Sequence, residues 1–185
     1  MLNIDKIKVN AIVLVGASKR LENKHFLKLG ELSLIEYVIQ NIKSFNIFDT
    51  IYISSIRDLD IEGTVTIKDT ICSGPLGGIY LAMQKSKSPN FVCGGDMPFI
   101  KKEAVESIIA KFKGISVIPR WKNGFIEPLH ALYSIPNFPD IDLSKSLHEM
   151  VSKIDKTYIH AEPFDPITFF NINTATDLEF AEKEI

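Results

Sequence analysis

The run "AIVLV" (residues 11–15) most restricts what this chain can become. Five apolar residues in succession, with no polar alternation, suit a strand buried on both faces. Such strands belong to parallel sheets covered by helices on each side. Gly16 ends the run abruptly, and "ASKRLENKHFLK" follows. The strand therefore delivers a short polar loop, and the function turns on whether that loop binds anything.

The rest of the chain keeps a strand–helix rhythm. "LSLIEYVIQNI" (32–42) predicts a helix, with Leu34, Ile35, Val38, Ile39 and Ile42 on one face and Ser33 with Glu36 as a capping box. Strands are expected at 50–55, 64–67, 91–93 and 115–118. Helices are expected at 77–86, 101–112 and 174–185, the last capped by Thr174. "PLHALYSI" (128–135) suits a strand or an edge hairpin partner. This alternation predicts an α/β fold, a three-layer sandwich built on a mostly parallel, Rossmann-like sheet. With 185 residues and 45% of them hydrophobic, one sizeable core is expected, hence a single domain over 1–185. Six of the nine prolines fall between 119 and 170, which predicts an irregular lobe there.

Charge and composition narrow the partners. A net charge of −2 argues against nucleic acid. No apolar run reaches membrane-spanning length, and charges interrupt the N-terminal "MLNIDKIKVN" where a signal peptide would be apolar. The two cysteines, Cys72 and Cys93, have no metal-like spacing, and their scarcity suits a reducing compartment. A cytoplasmic protein is the expectation.

In open parallel sheets, ligands bind beyond the carboxyl ends of the strands, so the residues after each strand carry the chemistry. After the first, Lys19, Arg20, Lys24 and Lys28 outnumber Glu22, and Gly16 permits close backbone approach. Backbone N–H groups with Lys or Arg are what a triphosphate needs, although a solvated basic loop would look the same. Asp69 follows the third strand, where a carboxylate could accept from a base or ribose, and "SGPLGG" then opens a helix. Asp96 follows the fourth strand in "VCGGDMPFI", stiffened by Pro98, and is placed to hold Mg²⁺ against phosphate oxygens or merely to cap the next helix. Asn171 and Asn173 alternate, so on a strand both would reach one ligand. His130, between apolar residues, is read as a satisfied structural histidine.

Taken in order, "LVGASKRLENK", "DTICSGPLGGI", "CGGDMPFI", "EPLHALY" and "NINTATDLEFA" resemble the MobA-like nucleotidyltransferases, the molybdenum cofactor guanylyltransferases and their relatives. The resemblance runs from about residue 11 to the end. It implies a single α/β domain of the nucleotide-diphospho-sugar transferase type. It implies transfer of GMP from GTP to molybdopterin, with Mg²⁺ and release of pyrophosphate. It places Leu14, Val15 and Gly16 against the nucleotide, Lys24 and Arg20 at the phosphates, Ser54 where the family often has Asn at the base, and Asp69 on the nucleotide. It makes Asp96 the Mg²⁺ ligand and sets Asn171 and Asn173 on the acceptor side. A protein that delivers molybdopterin is a candidate partner.

The loop departs from the family pattern. Ala17 stands in place of a second glycine, Leu21 of a methionine, Glu22 of a glycine and Asn23 of an aspartate, and the loop is about two residues short. These departures leave open CTP as donor, another phosphorylated acceptor, or a non-catalytic nucleotide-binding relative.

Overall fold

The computed structural model describes residues 8–16, 20–86, 89–134 and 142–185. Loop residues Ala17, Ser18 and Lys19, and 135–141 of the proline-rich stretch, lie outside them.

The apolar run forms strand β1 (Asn10–Val15), buried along its whole length. A 3-10 turn at Lys24–Phe26 follows, then a small hairpin of β2 (Lys28–Leu29) and β3 (Leu32–Ser33), so the helix expected from residue 32 begins two residues later. Helix α1 (Leu34–Ser44) buries the five predicted apolar residues. The Glu36 carboxylate accepts from the Ser33 N–H at 2.8 Å, as the capping box requires. Next come β4 (Ile51–Ser55), β5 (Val65–Lys68), α2 (Gly74–Lys85), β6 (Asn90–Gly94), α3 (Lys102–Ala110) and β7 (Ser116–Arg120). The chain closes with β8 (His130–Tyr133), α4 (Leu147–Lys153), β9 (Lys156–His160) and α5 (Ala175–Lys183). Helix α2 starts at Gly74, three residues earlier than predicted, because Pro75 fits the first helical turn.

Seven strands form one sheet in the order β5-β4-β1-β6-β8-β7-β9. All run parallel except β8, which pairs antiparallel with β6 and β7. The segment read as a strand or an edge partner is therefore an interior strand. The stretch from 119 to 170 supplies β8 and β9 to the sheet and α4 to one face.

Strand alternation divides the core. Ala11, Val13 and Val15 of β1 face one apolar cluster with α1, α3 and α5, while Ile12 and Leu14 face another with α2 and α4. The result is three layers, helices on both faces of a sheet. Chain order reverses at β1: β4 and β5 lie on one side of it, and the chain then returns to place β6 on the other. A crevice beyond the carboxyl end of β1 is what such a switch creates.

Candidate active site

A cavity of about 380 Å³ opens at that switch point. Leu14, Val15, Gly16, Lys24, Ser54, Asp69 and Asp96 all line it. The exits of β1, β4, β5 and β6 thus bring together residues drawn from 83 positions of sequence, counted from 14 to 96. Gly16 does not take a positive φ, and apart from its chain neighbours no atom of the described residues lies within 4 Å of where its Cβ would be.

Lys24 and Asp96 are the most tightly held pair in the cavity. The Lys24 ammonium contacts the Asp96 carboxylate, and both side chains are largely buried. It also donates to the Ile172 carbonyl at 3.0 Å and the Asn173 amide oxygen at 2.9 Å. Three acceptors therefore meet an ammonium's three donors. The loop sets Lys24 there by turning sharply: Asn23 has a φ of 53°, and the Phe26 N–H donates to the Asn23 carbonyl at 2.8 Å. Asp96 is fixed from two sides. The Gly95 N–H donates to the Leu14 carbonyl at 2.8 Å, and the Ile172 N–H to the Asp96 carbonyl at 2.9 Å. A Cβ on Gly94 would collide with Asp96 Oδ1, so glycine is required beside that carboxylate.

The side chains of Asn171 and Asn173 have different partners. The segment is not a strand, so its side chains do not share a strand face. The Asn171 amide donates to the Phe169 carbonyl at 2.8 Å, whereas Asn173 reaches Lys24. The cap of α5 holds Asn173 in place: its N–H and that of Thr174 both donate to Asp177, at 2.9 and 2.8 Å.

At the other end of the cavity, Asp69 Oδ1 accepts from the N–H groups of Ile71 and Cys72, each at 3.0 Å. This turn aims the chain into α2. Ser54 is buried, and its hydroxyl has no hydrogen-bond partner among the described residues. A Cβ on Gly78 would stand 2.7 Å from that hydroxyl, so "GPLGG" brings α2 directly onto β4. Arg20 is exposed and is not part of the cavity wall.

Sequence reasoning missed His25. It is 5% exposed and lines the cavity beside Lys24. Burial above all, with the neighbouring Lys24 ammonium, lowers its pKa, against the opposing pull of Asp96 and the Gly95 backbone. Its Nδ1 lies by Gly95 without completing a hydrogen bond. The only sequence signal was its position next to Lys24. His130, by contrast, stays out of the cavity. It is fully buried between the rings of Phe91 and Phe169, at 5.1 and 4.9 Å, and both ring nitrogens lack partners. It is structural but unsatisfied, and burial pushes its pKa down to about 3.

Among the described residues, no group of three or more His, Cys, Asp or Glu side chains could hold a metal unaided. None of their helices is long and apolar enough to cross a membrane.

A mostly parallel sheet, a cleft at the exits of β1, β4, β5 and β6, and a buried lysine–aspartate pair within it suit a nucleotide-binding enzyme, and the family match makes the chain a nucleotidyltransferase of the nucleotide-diphospho-sugar transferase fold. The chain belongs to the family of the MobA-like NTP transferase domain, whose model matches residues 11–157. It is 34% identical over 189 residues to the probable molybdenum cofactor guanylyltransferase of Pyrococcus furiosus, covering 92% of this chain and 94% of that one. The corresponding protein of Thermococcus gammatolerans is 31% identical, with 92% and 96% covered. Among solved structures, the molybdopterin-guanine dinucleotide biosynthesis protein A of Archaeoglobus fulgidus superposes with a TM-score of 0.76 at 25% identity, covering 96% of this chain and 98% of that one.

Proposed function

We propose that this chain, as one domain, transfers GMP from GTP to the terminal phosphate of molybdopterin. The observation that carries the reading is the Lys24–Asp96 pair, completed by Asn173, in the wall of a cavity that also holds Ser54 and Asp69. An oxygen of the acceptor phosphate attacks the α-phosphorus in line. The bond from that phosphorus to the bridging oxygen breaks, and pyrophosphate leaves with the electron pair. A phosphate nucleophile is already anionic near neutral pH, so no general base is needed. Catalysis rests on positioning and on offsetting charge.

The chain's residues divide that work. The backbone of Leu14, Val15 and Gly16 borders the nucleotide. Ser54 and Asp69 face its base and ribose, where the orphaned Ser54 hydroxyl offers a polar contact. Lys24 offsets charge on the phosphates, with Arg20 contributing from the exposed loop. Asn173, and Asn171 beside it, border the acceptor.

Mg²⁺ binds typically through one or two carboxylates, with substrate phosphates and water completing its shell. Asp96 fits that requirement: Lys24 engages Oδ2, and Oδ1 is left for a metal. When bound there, Mg²⁺ would neutralise phosphate charge. The chemistry is that of a soluble biosynthetic enzyme working in the cytoplasm, with GTP and molybdopterin as substrates and a molybdopterin-delivering protein as partner.

The test is pyrophosphate release in the presence of Mg²⁺, molybdopterin and each NTP in turn. Release with GTP above the other nucleotides is expected. Release with CTP alone would make the chain a cytidylyltransferase. Binding of GTP without release under any condition would leave a non-catalytic nucleotide-binding protein.

A further inference from the structure

A second cavity, of about 350 Å³, adjoins the first. The two share Val15, Gly16, Lys24, His25 and Ile56 as walls, so they are halves of one cleft. The first half contains Ser54, Asp69 and Asp96. The second is closed by Glu22, Asn23 and Phe26 from the loop and by Arg57 from beyond β4. We infer that this second half receives the pyrophosphate end of the nucleotide and that Arg57 is the residue that binds it. The inference rests on the reading of the chain as a nucleotidyltransferase.

Three observations lead there. First, Lys24 has no donor left, because Asp96, Ile172 and Asn173 already take its three. Arg20 is exposed and lines neither half of the cleft, so a cation on the cleft wall itself would serve a triphosphate's outer phosphates. Second, Arg57 is held across the opening with donors to spare. One Nη2–H donates to the Asn23 amide oxygen at 2.8 Å, and the guanidinium sits 5.1 Å from the centre of the Phe26 ring. Its backbone N–H is tied to the Ser55 hydroxyl at 3.1 Å. The planar guanidinium suits bidentate contact with phosphate oxygens. Third, the shared wall carries a buried polar atom, His25 Nδ1, that completes no hydrogen bond among the described residues.

This arrangement also accounts for Glu22. A carboxylate on the wall of a phosphate cavity repels its ligand unless a cation on the same wall offsets it. Arg57 is that cation, supplied by the neighbouring strand exit. Arg57 thus adds, from beyond β4, to the positive charge that the loop itself supplies.

The test is calorimetric titration of the full chain with GTP, GMP and inorganic pyrophosphate, each with Mg²⁺, in wild type, Arg57→Gln and Arg57→Lys. Arg57→Gln is expected to weaken GTP and pyrophosphate on the order of tenfold and to leave GMP unchanged, with Arg57→Lys recovering part of the loss. Equal weakening of GMP would overturn the assignment, since Arg57 would then only shape the cleft. So would an unchanged ratio of GTP to GMP affinity. Wild type that binds pyrophosphate but no nucleotide would defeat the transferase reading, while the pyrophosphate arm would still decide whether Arg57 binds the anion.

Discussion

Lys24 and Asp96, 72 residues apart, meet as a buried ion pair whose ammonium is completed by the Ile172 carbonyl and the Asn173 side chain. The pair couples the loop after β1 to the exit of β6 and to the entry of α5. On the proposed function, the same contacts serve both stability and activity.

Removing one member of a buried pair strands the other charge, at a cost of about 3–5 kcal/mol, whereas removing both is far milder. Lys24→Met should therefore lower the urea midpoint strongly, and Lys24→Met with Asp96→Leu should restore much of it. Additive losses across this double-mutant cycle would show that the two side chains are not coupled. Asp96→Asn should also cut pyrophosphate release by about 100-fold or more, the scale for losing a group that offsets transition-state charge. A wild-type rate would remove Asp96 from the mechanism.

The two asparagines should behave differently. Asn173→Ala deprives Lys24 of one acceptor, and we expect turnover to fall roughly tenfold with folding retained. Asn171→Ala breaks only a bond to the Phe169 carbonyl, so nucleotide affinity should stay at the wild-type level. Equal effects of the two on GTP binding, read by calorimetry, would show that both act on the nucleotide.

Gly78→Ala tests the contact between α2 and β4. The added Cβ meets the Ser54 hydroxyl at 2.7 Å and Leu14 Cδ2 at 3.1 Å. Overpacking of this kind costs about 1–3 kcal/mol, so the melting temperature should drop. Ser54→Ala in the same chain should return part of the loss. No drop for Gly78→Ala would mean that α2 can lift off the sheet without penalty.

His130 should make the protein acid-sensitive. Its pKa is pushed down to about 3 in the folded chain, against 6.5 when unfolded. Between those values the unfolded chain binds a proton that the native one does not, so stability rises with pH and is lost as pH falls. From pH 6.5 to 4.5 this one group accounts for about 2–3 kcal/mol. His130→Leu should flatten that part of the pH profile, and urea midpoints measured at pH 7, 6 and 5 would show it. A parallel loss in wild type and variant would place the acid sensitivity elsewhere.

Much of this architecture was legible before any coordinates. A short apolar run rich in β-branched residues and closed by a glycine suits an inner strand, so "AIVLV" pointed to the parallel sheet. Period and capping residues located α1 and α5, and Ser33 with Glu36 behaves as their spacing demanded. The antiparallel insertion of β8 was not legible as such, because strand order depends on long-range pairing that "PLHALYSI" does not encode locally. The hairpin of β2 and β3 was hidden by its length, two residues in each strand. Within the cleft, strand-exit carboxylates stood out because a charge following an apolar run is conspicuous. His25 and Arg57 did not, since nothing in their immediate neighbours shows that β1 and β4 pair side by side. The shared strand face expected for Asn171 and Asn173 is absent because alternation alone does not make a strand, and the segment is an irregular helix entry.

The bonds from Lys24 to Ile172 and Asn173 have a further consequence for translation. A chain emerging from the ribosome exposes the loop and Asp96 long before residues 172 and 173 appear. Until they do, an ammonium built for three acceptors has only one. The nascent protein can thus assemble most of its sheet while this ion pair still lacks two of the partners that hold it.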